Sequence, residues 1–245
     1  MDWTKAKTIL IIALILTNIV LSVNLFIDKS EEELISKQTI ADTLKILWDR
    51  EIYVFCEVPN TIEELPVLNV EYDHIDSKAI DEMIENQDTV KQYNLTKEEV
   101  VKIAEDFLNQ NNLLNENTKL EPIKKEGNEY TLIYKNYYKD TLLEECSMIC
   151  VIKNGKIVSI DRIWLKPIDE GPTKKRTIPA TTALLKFASL REGQEKFTSI
   201  TDISLVYWLK TSLYSRETTT KDTARPAWRI YYDDGETEYI LAYEN

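Results

Sequence analysis

The feature that most constrains this chain is an uncharged run of nineteen residues, Ile9 to Ile27, which follows a short start that bears two lysines. A helix needs about 20 apolar residues to cross a bilayer core, whereas the apolar core of a cleaved signal peptide has about 7–15. No small-residue cleavage pattern follows the run. We therefore predict an uncleaved anchor in residues 1–29, with a cleaved signal peptide or a buried core helix as alternatives.

Charges on either side of this run predict its orientation. Lys5 and Lys7 precede it, and the acidic stretch DKSEEE follows it. Positive residues favour the cytoplasmic side, so we predict a single-pass protein of the cell membrane with a cytoplasmic N-terminus and an extracytoplasmic C-terminal part. Trp3 suits the aromatic belt at a membrane interface, and it forms a predicted interfacial anchor together with Lys5 and Lys7.

Four polar residues interrupt the outer half of the run: Thr17, Asn18, Ser22 and Asn24. At about 100° per residue they occupy less than half of the helix circumference. Because polar side chains join helices within membranes, we predict that these four residues bind partner transmembrane helices. In the alternative interpretation, Asn24 is hydrated near the interface, while Thr17 and Ser22 bond back to their own helix.

Composition restricts what the rest of the chain can bind. The formal net charge is -12, and only 5 of the 245 residues are glycine. Contact with phosphates requires a basic surface, so we predict no nucleic-acid partner. The glycine-rich phosphate-binding motifs GxGxxG and GxxxxGK[ST] are absent from the sequence.

The sequence does not predict an enzyme. Its single histidine, His74, lies between Asp73 and Asp76, and no cluster of histidine, cysteine and aspartate has the spacing of a metal site. There is no GxSxG nucleophile motif, and nothing selects two of the many carboxylates as an acid–base pair. We therefore predict no catalytic, metal-binding or cofactor-binding residues.

The three cysteines are Cys56, Cys146 and Cys150. The last two lie four residues apart in a predicted strand, which separates their Cα atoms by about 13 Å, whereas a disulfide requires less than about 7 Å. An odd count leaves at least one thiol unpaired within the chain. We predict three small buried hydrophobic residues, although Cys56 could pair with one of the others.

Residues 30–95 are predicted to hold a juxtamembrane helix and short strands. Ser30 and Glu33 have the spacing of a capping box, which predicts a helix that starts at Ser30, ends near Asp49 and could continue from the membrane span. Its apolar stripe is Leu34, Ala41, Leu44, Leu47 and Trp48. The elements predicted next are strands over Glu51–Glu57 and Leu68–Tyr72 and a helix over Ser77–Gln87.

Residues 96–168 are predicted to form a helix followed by an antiparallel meander. Thr96 and Glu99 form a second capping-box pair, and the helix that follows turns inward Val100, Ala104, Phe107 and Leu108. The predicted strands are Leu120–Lys124, Glu129–Tyr138, Glu144–Ile152 and Lys156–Leu165. Asn154 and Gly155 supply the turn before the last strand.

The same plan recurs after a charged, proline-bearing linker over residues 169–178. In residues 179–245, Pro179 opens a helix that runs to Arg191 and is stopped by Gly193. The predicted strands are Ile200–Leu209, Ala227–Tyr232 and Glu238–Tyr243, with Asp234 and Gly235 at the last turn. The predicted fold class is therefore α+β, an N-terminal transmembrane helix followed by two helix-plus-antiparallel-meander units.

Aromatic residues concentrate on both predicted meanders. They could line a ligand groove, but we favour packing against the helix that covers each sheet. A sheet covered by one helix also leaves a face or an edge open to a partner strand. The residues concerned are Tyr130, Tyr134, Tyr137, Tyr138, Trp164, Tyr207, Trp208, Trp228, Tyr231 and Tyr232.

The opening MDWTKAKTILIIALILTNIVL resembles the start of the YycI (WalI) family. Members of this family begin with Met-Asp-Trp, a lysine-bearing stretch and a single membrane span that contains an asparagine. The matching positions are Met1, Asp2, Trp3, Lys5, Lys7 and Asn18. The resemblance extends through the proline-broken stretch EVPNTIEELPVLNVEY and the two later units, in layout more than in fixed residues.

This resemblance implies a non-enzymatic accessory regulator of the YycG (WalK) sensor histidine kinase, a two-component system that controls cell-wall metabolism in low-GC Gram-positive bacteria. It implies contacts with the transmembrane helices of the kinase and with a sister protein, YycH. The outer domains are expected to resemble YycH domains and, more loosely, PepSY-type modules. The family brings no catalytic residues or cofactors, and the three cysteines depart from what such domains usually contain.

Other functions stay open at this point. A PepSY-like inhibitor or binding module for an extracytoplasmic peptidase would act through its outer domain without the anchor. A sensor of a small ligand would need an apolar pocket on the aromatic face. A cell-wall enzyme would lose its activity when a single carboxylate or His74 is replaced.

Overall fold

The computed structural model describes part of the N-terminal segment and most of the remaining chain. Residues 10–19 form helix α1. Among the described residues, no helix combines the length and the apolar character needed to cross a membrane. Several residues of the predicted anchor, among them 20 and 23–27, lie outside the described set. That set comprises residues 3, 7, 10–19, 21–22, 34–87, 95–193, 197–209, 221–233 and 235–243.

The folded part, residues 34–243, is an α+β structure with one large sheet. Its helices are α2 (Lys37–Trp48), α3 (Ser77–Glu85), α4 (Lys97–Gln110) and α5 (Ala180–Leu190). Its first strands are β1 (Ile52–Val54), β2 (Glu64–Leu65), β3 (Leu68–Tyr72), β4 (Thr118–Leu120), β5 (Lys124–Glu126), β6 (Glu129–Tyr138) and β7 (Thr141–Leu143). The later strands are β8 (Ser147–Lys153), β9 (Lys156–Ile163), β10 (Leu165–Glu170), β11 (Lys175–Arg176), β12 (Thr198–Trp208), β13 (Lys221–Tyr232) and β14 (Glu236–Leu241).

Both predicted meanders are present. In the first, β6, β8 and β9 pair antiparallel in chain order, and in the second β12, β13 and β14 do the same. Asn154 and Gly155 connect β8 to β9 with φ angles of 53° and 77°, which matches the turn predicted from their sequence. The α+β class and the helix-then-meander order are therefore confirmed.

The two meanders form one continuous sheet of 12 strands. Its main order is β10-β3-β13-β12-β7-β6-β8-β9, with β1 beside β12, β14 beside β13, and β4 and β5 beside β6. The meanders join where β7 pairs parallel with β12, at Val206 and Leu142. The predicted division into residues 30–95, 96–168, 169–178 and 179–245 stays a prediction, although residues within 169–178 contribute to β10 and β11.

Helix α4 covers the first meander as predicted. The Thr96 hydroxyl accepts from the Glu99 backbone N–H at 3.3 Å, and the Glu99 carboxylate accepts from the Thr96 N–H at 2.8 Å, so the capping box is confirmed. The four predicted inward residues are all buried, in a core shared with Leu132, Met148 and Trp164.

Helices α2 and α5 cover the second meander together. Leu47 of α2 and Phe187 of α5 are buried in one core with Trp228 and Ile230 of β13. Helix α5 begins after Pro179, and Gly193 follows its end with a φ of 84°, as the sequence predicted. The helix predicted as juxtamembrane is therefore part of the helical layer of the second meander.

The predicted start of α2 at Ser30 is wrong. Ser30 and Glu33 lie outside the described residues, but Leu34 forms an isolated antiparallel bridge with Thr61 rather than a helical turn. The helix begins at Lys37, and the hydroxyl of Ser36 caps it by accepting from the Thr39 N–H at 3.1 Å. Residues 34–36 are thus not helical, so α2 is not the uninterrupted continuation of the predicted span.

The predicted apolar stripe of α2 is only partly right. Leu47 is fully buried and Leu44 packs against the same core, but Ala41 is exposed, and so are Leu34 and Trp48. The reason is that α2 contacts α5 along one narrow face, where Thr43 is buried beside Leu47. Trp48 lies to one side of that face.

Prolines account for two further differences in strand bounds. The predicted strand Leu120–Lys124 is two short strands, β4 and β5, interrupted at Pro122. Conversely, β13 begins at Lys221 rather than at the predicted Ala227 and runs through Pro226. Residues 221–224 of β13 pair with β3, and residues 227–232 of β13 pair with β14. Pro226 falls between these two ladders, where the lack of a backbone N–H costs little.

Candidate partner surfaces

The structure describes most of the predicted membrane-contact residues. Thr17, Asn18 and Ser22 are exposed in the N-terminal segment, as are Trp3 and Lys7. The remaining two predicted residues, Asn24 and Lys5, lie outside the described residues. The contact role of all seven stays a prediction.

The Thr17 hydroxyl donates to the Ala13 carbonyl of the same helix at 2.8 Å. This is the bond that the alternative interpretation of the stripe expected of Thr17, because a threonine hydroxyl can satisfy itself one turn back. An asparagine amide has two N–H donors and one carbonyl acceptor, more than such a bond would use. Asn18 is therefore the residue of the stripe best suited to bind a second helix.

A second candidate surface is an open groove of about 660 Å³ between α2 and β1, which we call the aromatic groove. Its lining residues are Ala41, Leu44, Lys45, Trp48, Asp49, Ile52, Tyr53, Val54 and Phe55. Trp48 and Phe55 are 66% and 68% exposed, although both are large apolar side chains. Such an exposed apolar surface is typical of a contact site.

Contacts between aromatic rings extend this groove beyond α2. The Trp48 and Tyr53 ring centroids are 5.3 Å apart, and those of Tyr53 and Phe197 are 4.9 Å apart. Phe197, just before β12, is 56% exposed. We call Trp48, Tyr53, Phe55 and Phe197 the aromatic rim.

Local backbone geometry explains why these rings meet. Glu51 takes a positive φ of 59° and reverses the chain directly after α2. Strand β1 then pairs parallel with β12, so Tyr53 lies opposite Ser199. Alternation along β1 buries Ile52 in the core and leaves Tyr53 on the outer side, beside Trp48.

A charged cluster joins the two meanders. Arg229 of β13 donates to Glu144 at 3.0 Å and to Asp202 at 3.2 Å, and the Tyr239 hydroxyl donates to Glu144 at 3.0 Å. Burial raises the pKa of Tyr239, and the Glu144 carboxylate raises it further. Every group of this cluster is engaged with another, so it stabilises the junction and offers no free acid or base.

The surroundings of His74 are also structural. Asp73 accepts from Arg162 at 2.6 Å and from Lys166 at 2.8 Å, while Asp76 caps α3 by accepting from the Lys78 N–H. His74 stacks on the Tyr72 ring at 5.6 Å between centroids. Within the part of the chain that the structure describes, no group of three or more histidine, cysteine or acidic residues could hold a metal ion.

All three cysteines are free thiols. Cys146 and Cys150 are buried, as predicted, and burial raises the pKa of each to about 12. The Cys146 sulfur accepts from the Leu165 N–H at 3.1 Å, which ties the turn before β8 to the start of β10. Cys56 is only partly buried and pairs with neither of the others, so the alternative of a disulfide is wrong.

The predicted role of the aromatic residues is largely confirmed. Tyr130, Tyr134, Trp164, Tyr207, Trp228 and Tyr232 are buried, while Tyr137, Tyr138 and Trp208 are half-buried and Tyr231 is exposed. The exposed aromatic surface instead lies at α2 and β1, which the sequence analysis did not single out. The run Tyr53-Val54-Phe55 could have indicated this surface. In a strand, Tyr53 and Phe55 point to one face and Ile52 to the other, so both rings lie on the outer face when Ile52 is buried.

Comparison with known protein families identifies the chain's relatives at the level of a family. A family model described as "YycI protein" matches residues 30–243. No curated protein matches the chain. The matched range includes every helix and strand from α2 to β14, and with them the aromatic groove and the charged cluster.

Proposed function

The chain belongs to the YycI family, and from this membership we propose that it is a non-enzymatic accessory regulator of a membrane sensor histidine kinase that controls cell-wall metabolism. The observation that carries the proposal is the match over residues 30–243, which includes the whole folded part. The proposed partners are the transmembrane helices of the kinase and a YycH-like sister protein.

We place the protein in the cell membrane through its N-terminal segment. The uncharged run Ile9 to Ile27 has the length of a single span, and the lysines before it favour a cytoplasmic N-terminus. The folded part would then lie outside the cytoplasm, where its net acidic surface is solvated. Trp3, Lys5 and Lys7 would hold the inner end of the span at the interface.

The recognition element that we propose is the polar stripe of this span. Asn18 supplies donors and an acceptor toward a kinase helix, with Ser22 one turn further along the same side and Asn24 in line with Thr17 at the other edge of the stripe. Polar contacts between membrane helices are worth about 0.6–2 kcal/mol each, which is enough to bias an equilibrium between two signalling states. The folded part would alter this bias together with the sister protein.

The geometry of the folded part supports a regulatory rather than a catalytic role. The carboxylates nearest to His74 are engaged in an ion pair and a helix cap, and Glu144 is engaged by Arg229 and Tyr239. The buried thiols have pKa values far above neutrality, so they are protonated and unreactive.

Co-purification from membranes tests this proposal. Full-length wild type and the double variant Asn18→Leu, Asn24→Leu are each expressed with the kinase and the sister protein, and kinase recovery is compared. The matched control is Leu16→Ile with Ile19→Leu, two apolar exchanges on the opposite side of the helix. We expect the control to recover as much kinase as wild type and the asparagine variant to recover at least several-fold less.

Two results would contradict the proposal at different levels. Equal kinase recovery by the asparagine variant, with its membrane insertion intact, would remove the polar stripe as the recognition element. Failure of the wild type to recover the kinase, even with the sister protein present, would overturn the regulatory function itself.

A further inference from the structure

The exposed aromatic rim has a composition that suits one kind of partner. It contains a tryptophan, a tyrosine and two phenylalanines, and Lys45 lies beside it in the groove. Tryptophan and tyrosine are enriched where a protein meets the interface of a bilayer, because one end of the ring is apolar and the other is polar. A long lysine side chain can bury its stem there and keep its charge in water.

Exposed apolar residues are concentrated near this rim. Outside the N-terminal segment, most of the large exposed hydrophobic side chains among the described residues lie on α2, beside β1, or at the adjoining ends of α5 and β12. They are Ile46, Trp48, Phe55, Leu190 and Phe197, whereas Leu34, which pairs with Thr61, and Val158, Ile168 and Tyr231 lie elsewhere. More than half of these exposed apolar side chains thus lie around α2, β1 and the adjoining end of α5.

Charge does not oppose contact of the groove with a membrane. The chain as a whole carries a net charge of -12, which would repel an anionic lipid surface. The charged residues that line the groove are one lysine and one aspartate, Lys45 and Asp49, so the lining is neutral. Arg50 follows directly after them at the end of α2.

The short chain before α2 limits the distance between this surface and the bilayer, since Trp48 lies only about 17 Å from the start of α2. The predicted span ends at Ile27 and α2 begins at Lys37, so only nine residues connect them. An extended chain covers at most about 3.6 Å per residue, which limits the connection to roughly 35 Å. A surface tethered to a membrane within this range meets it at a high effective concentration, so even weak contacts become occupied.

We propose that the aromatic rim docks on the outer surface of the lipid bilayer, with the rings of Trp48, Phe55 and Phe197 inserted among the headgroups. This inference rests on the proposed function, because it takes the N-terminal segment to be a membrane anchor. Docking fixes the folded part relative to the span, so that α2 and β1 face the membrane. A conformational change in the folded part can then move the span, because the connection between them is short.

Tryptophan quenching by lipid tests the docking. The full-length chain is placed in phosphatidylcholine nanodiscs with and without acyl chains brominated near the headgroup. The background substitution Trp3→Phe removes the predicted interfacial tryptophan at the other end of the span. Of the remaining tryptophans, Trp164 and Trp228 are buried and Trp208 is half-buried, so Trp48 dominates any quenching by lipid.

We expect brominated lipid to quench the Trp3→Phe chain and expect this quenching to disappear when Trp48→Phe is added. Circular dichroism of the second variant shows whether it is folded, which we expect because the substitution is exposed and conservative. Equal quenching of the two variants would overturn the docking. Shielding of Trp48 from acrylamide only when the sister protein is added would also overturn it, in favour of a protein interface.

The same experiment separates this inference from the proposed function. If lipid quenches Trp3 in a Trp48→Phe chain and that chain resists alkaline extraction, but Trp48 is not quenched in the Trp3→Phe chain, the anchor stands and only the docking fails. If the chain is extracted by alkali and Trp3 is not quenched, the segment is not a membrane anchor. Both the docking and the proposed regulation of the kinase through its transmembrane helices are then overturned.

Discussion

At the scale of single residues, the folded part depends on a few charges that are buried with their partners. The guanidinium of Arg162 is only 3% exposed, and it donates both to the Asp73 carboxylate and to the Asp73 backbone carbonyl, at 2.6 Å and 2.9 Å. A buried charge is costly unless it is paired and hydrogen-bonded. Asp73 therefore fixes the end of β3 against β9 and, through Lys166, against β10.

Asp73→Asn is expected to destabilise the protein by about 2 kcal/mol at pH 7, because it leaves the buried guanidinium of Arg162 without its charge partner. Chemical denaturation of the two proteins measures this difference. The matched control is Asp140→Asn, at a carboxylate that is 93% exposed, for which we expect a change below about 0.5 kcal/mol.

The same substitution should change how stability depends on pH. Burial raises the pKa of Asp73, but the hydrogen bonds and charges of Lys166 and Arg162 outweigh this effect and hold the pKa below its usual range. The stabilisation is therefore complete above the usual aspartate pKa, about 3.9, and is lost as the pH falls through the lower folded value. The Asp73→Asn variant should lack this loss of stability at low pH. An unchanged dependence of the unfolding free energy on pH would contradict the role of Asp73.

Thiol labelling gives a second prediction at this scale. Burial raises the pKa of Cys146 and Cys150 to about 12, so neither forms a thiolate near pH 8 in the folded protein. We expect Cys56 alone to react with an aromatic disulfide reagent under native conditions, slowly because burial raises its pKa as well. All three should react in guanidinium chloride, whereas two or more reactive thiols in the native protein would contradict this account.

At the scale of elements, two apparent capping boxes had different outcomes. Thr96 and Glu99 form both reciprocal hydrogen bonds in front of α4, whereas α2 begins only after Ser36. The spacing alone is the same in the two places. What differs is that Leu34 pairs with Thr61, so the chain just after the predicted start is held extended by a residue distant in sequence.

Thr96→Ala should cost about 1 kcal/mol of stability, because the Glu99 backbone N–H loses its acceptor at the start of α4. The measurement is the free energy of unfolding in urea. Thr96→Ser keeps the hydroxyl and is expected to restore most of the loss. If the serine and alanine variants were equally unstable, lost contacts of the threonine methyl rather than capping would explain the effect.

At the scale of the whole molecule, local patterns predicted the parts and missed how they are joined. Each meander connects strands that are adjacent in the chain, and turns such as Asn154-Gly155 carry their own sequence signal. The parallel pairs of β12 with β1 and with β7 join segments far apart in sequence and leave no local signal. For the same reason the aromatic rim was missed, since the position of α5 decides which face of α2 is buried.

Arg229 tests the junction between the meanders. Replacing it with methionine leaves Glu144, only 15% exposed, without its cation, so we expect a loss of about 2 kcal/mol in the free energy of unfolding. Adding Glu144→Gln should recover part of this loss, because the uncompensated charge is then gone. A double variant that loses the full sum of both single effects would show that the two side chains do not interact.

We propose that this chain biases a sensor histidine kinase through contacts within the membrane. The most direct measurement is the autophosphorylation rate of the full-length kinase in nanodiscs with the sister protein, with and without this chain. We predict that the wild-type chain changes the rate at least two-fold and that the Asn18→Leu, Asn24→Leu variant, inserted at the same level, does not. An identical rate with and without the wild-type chain would contradict the claim.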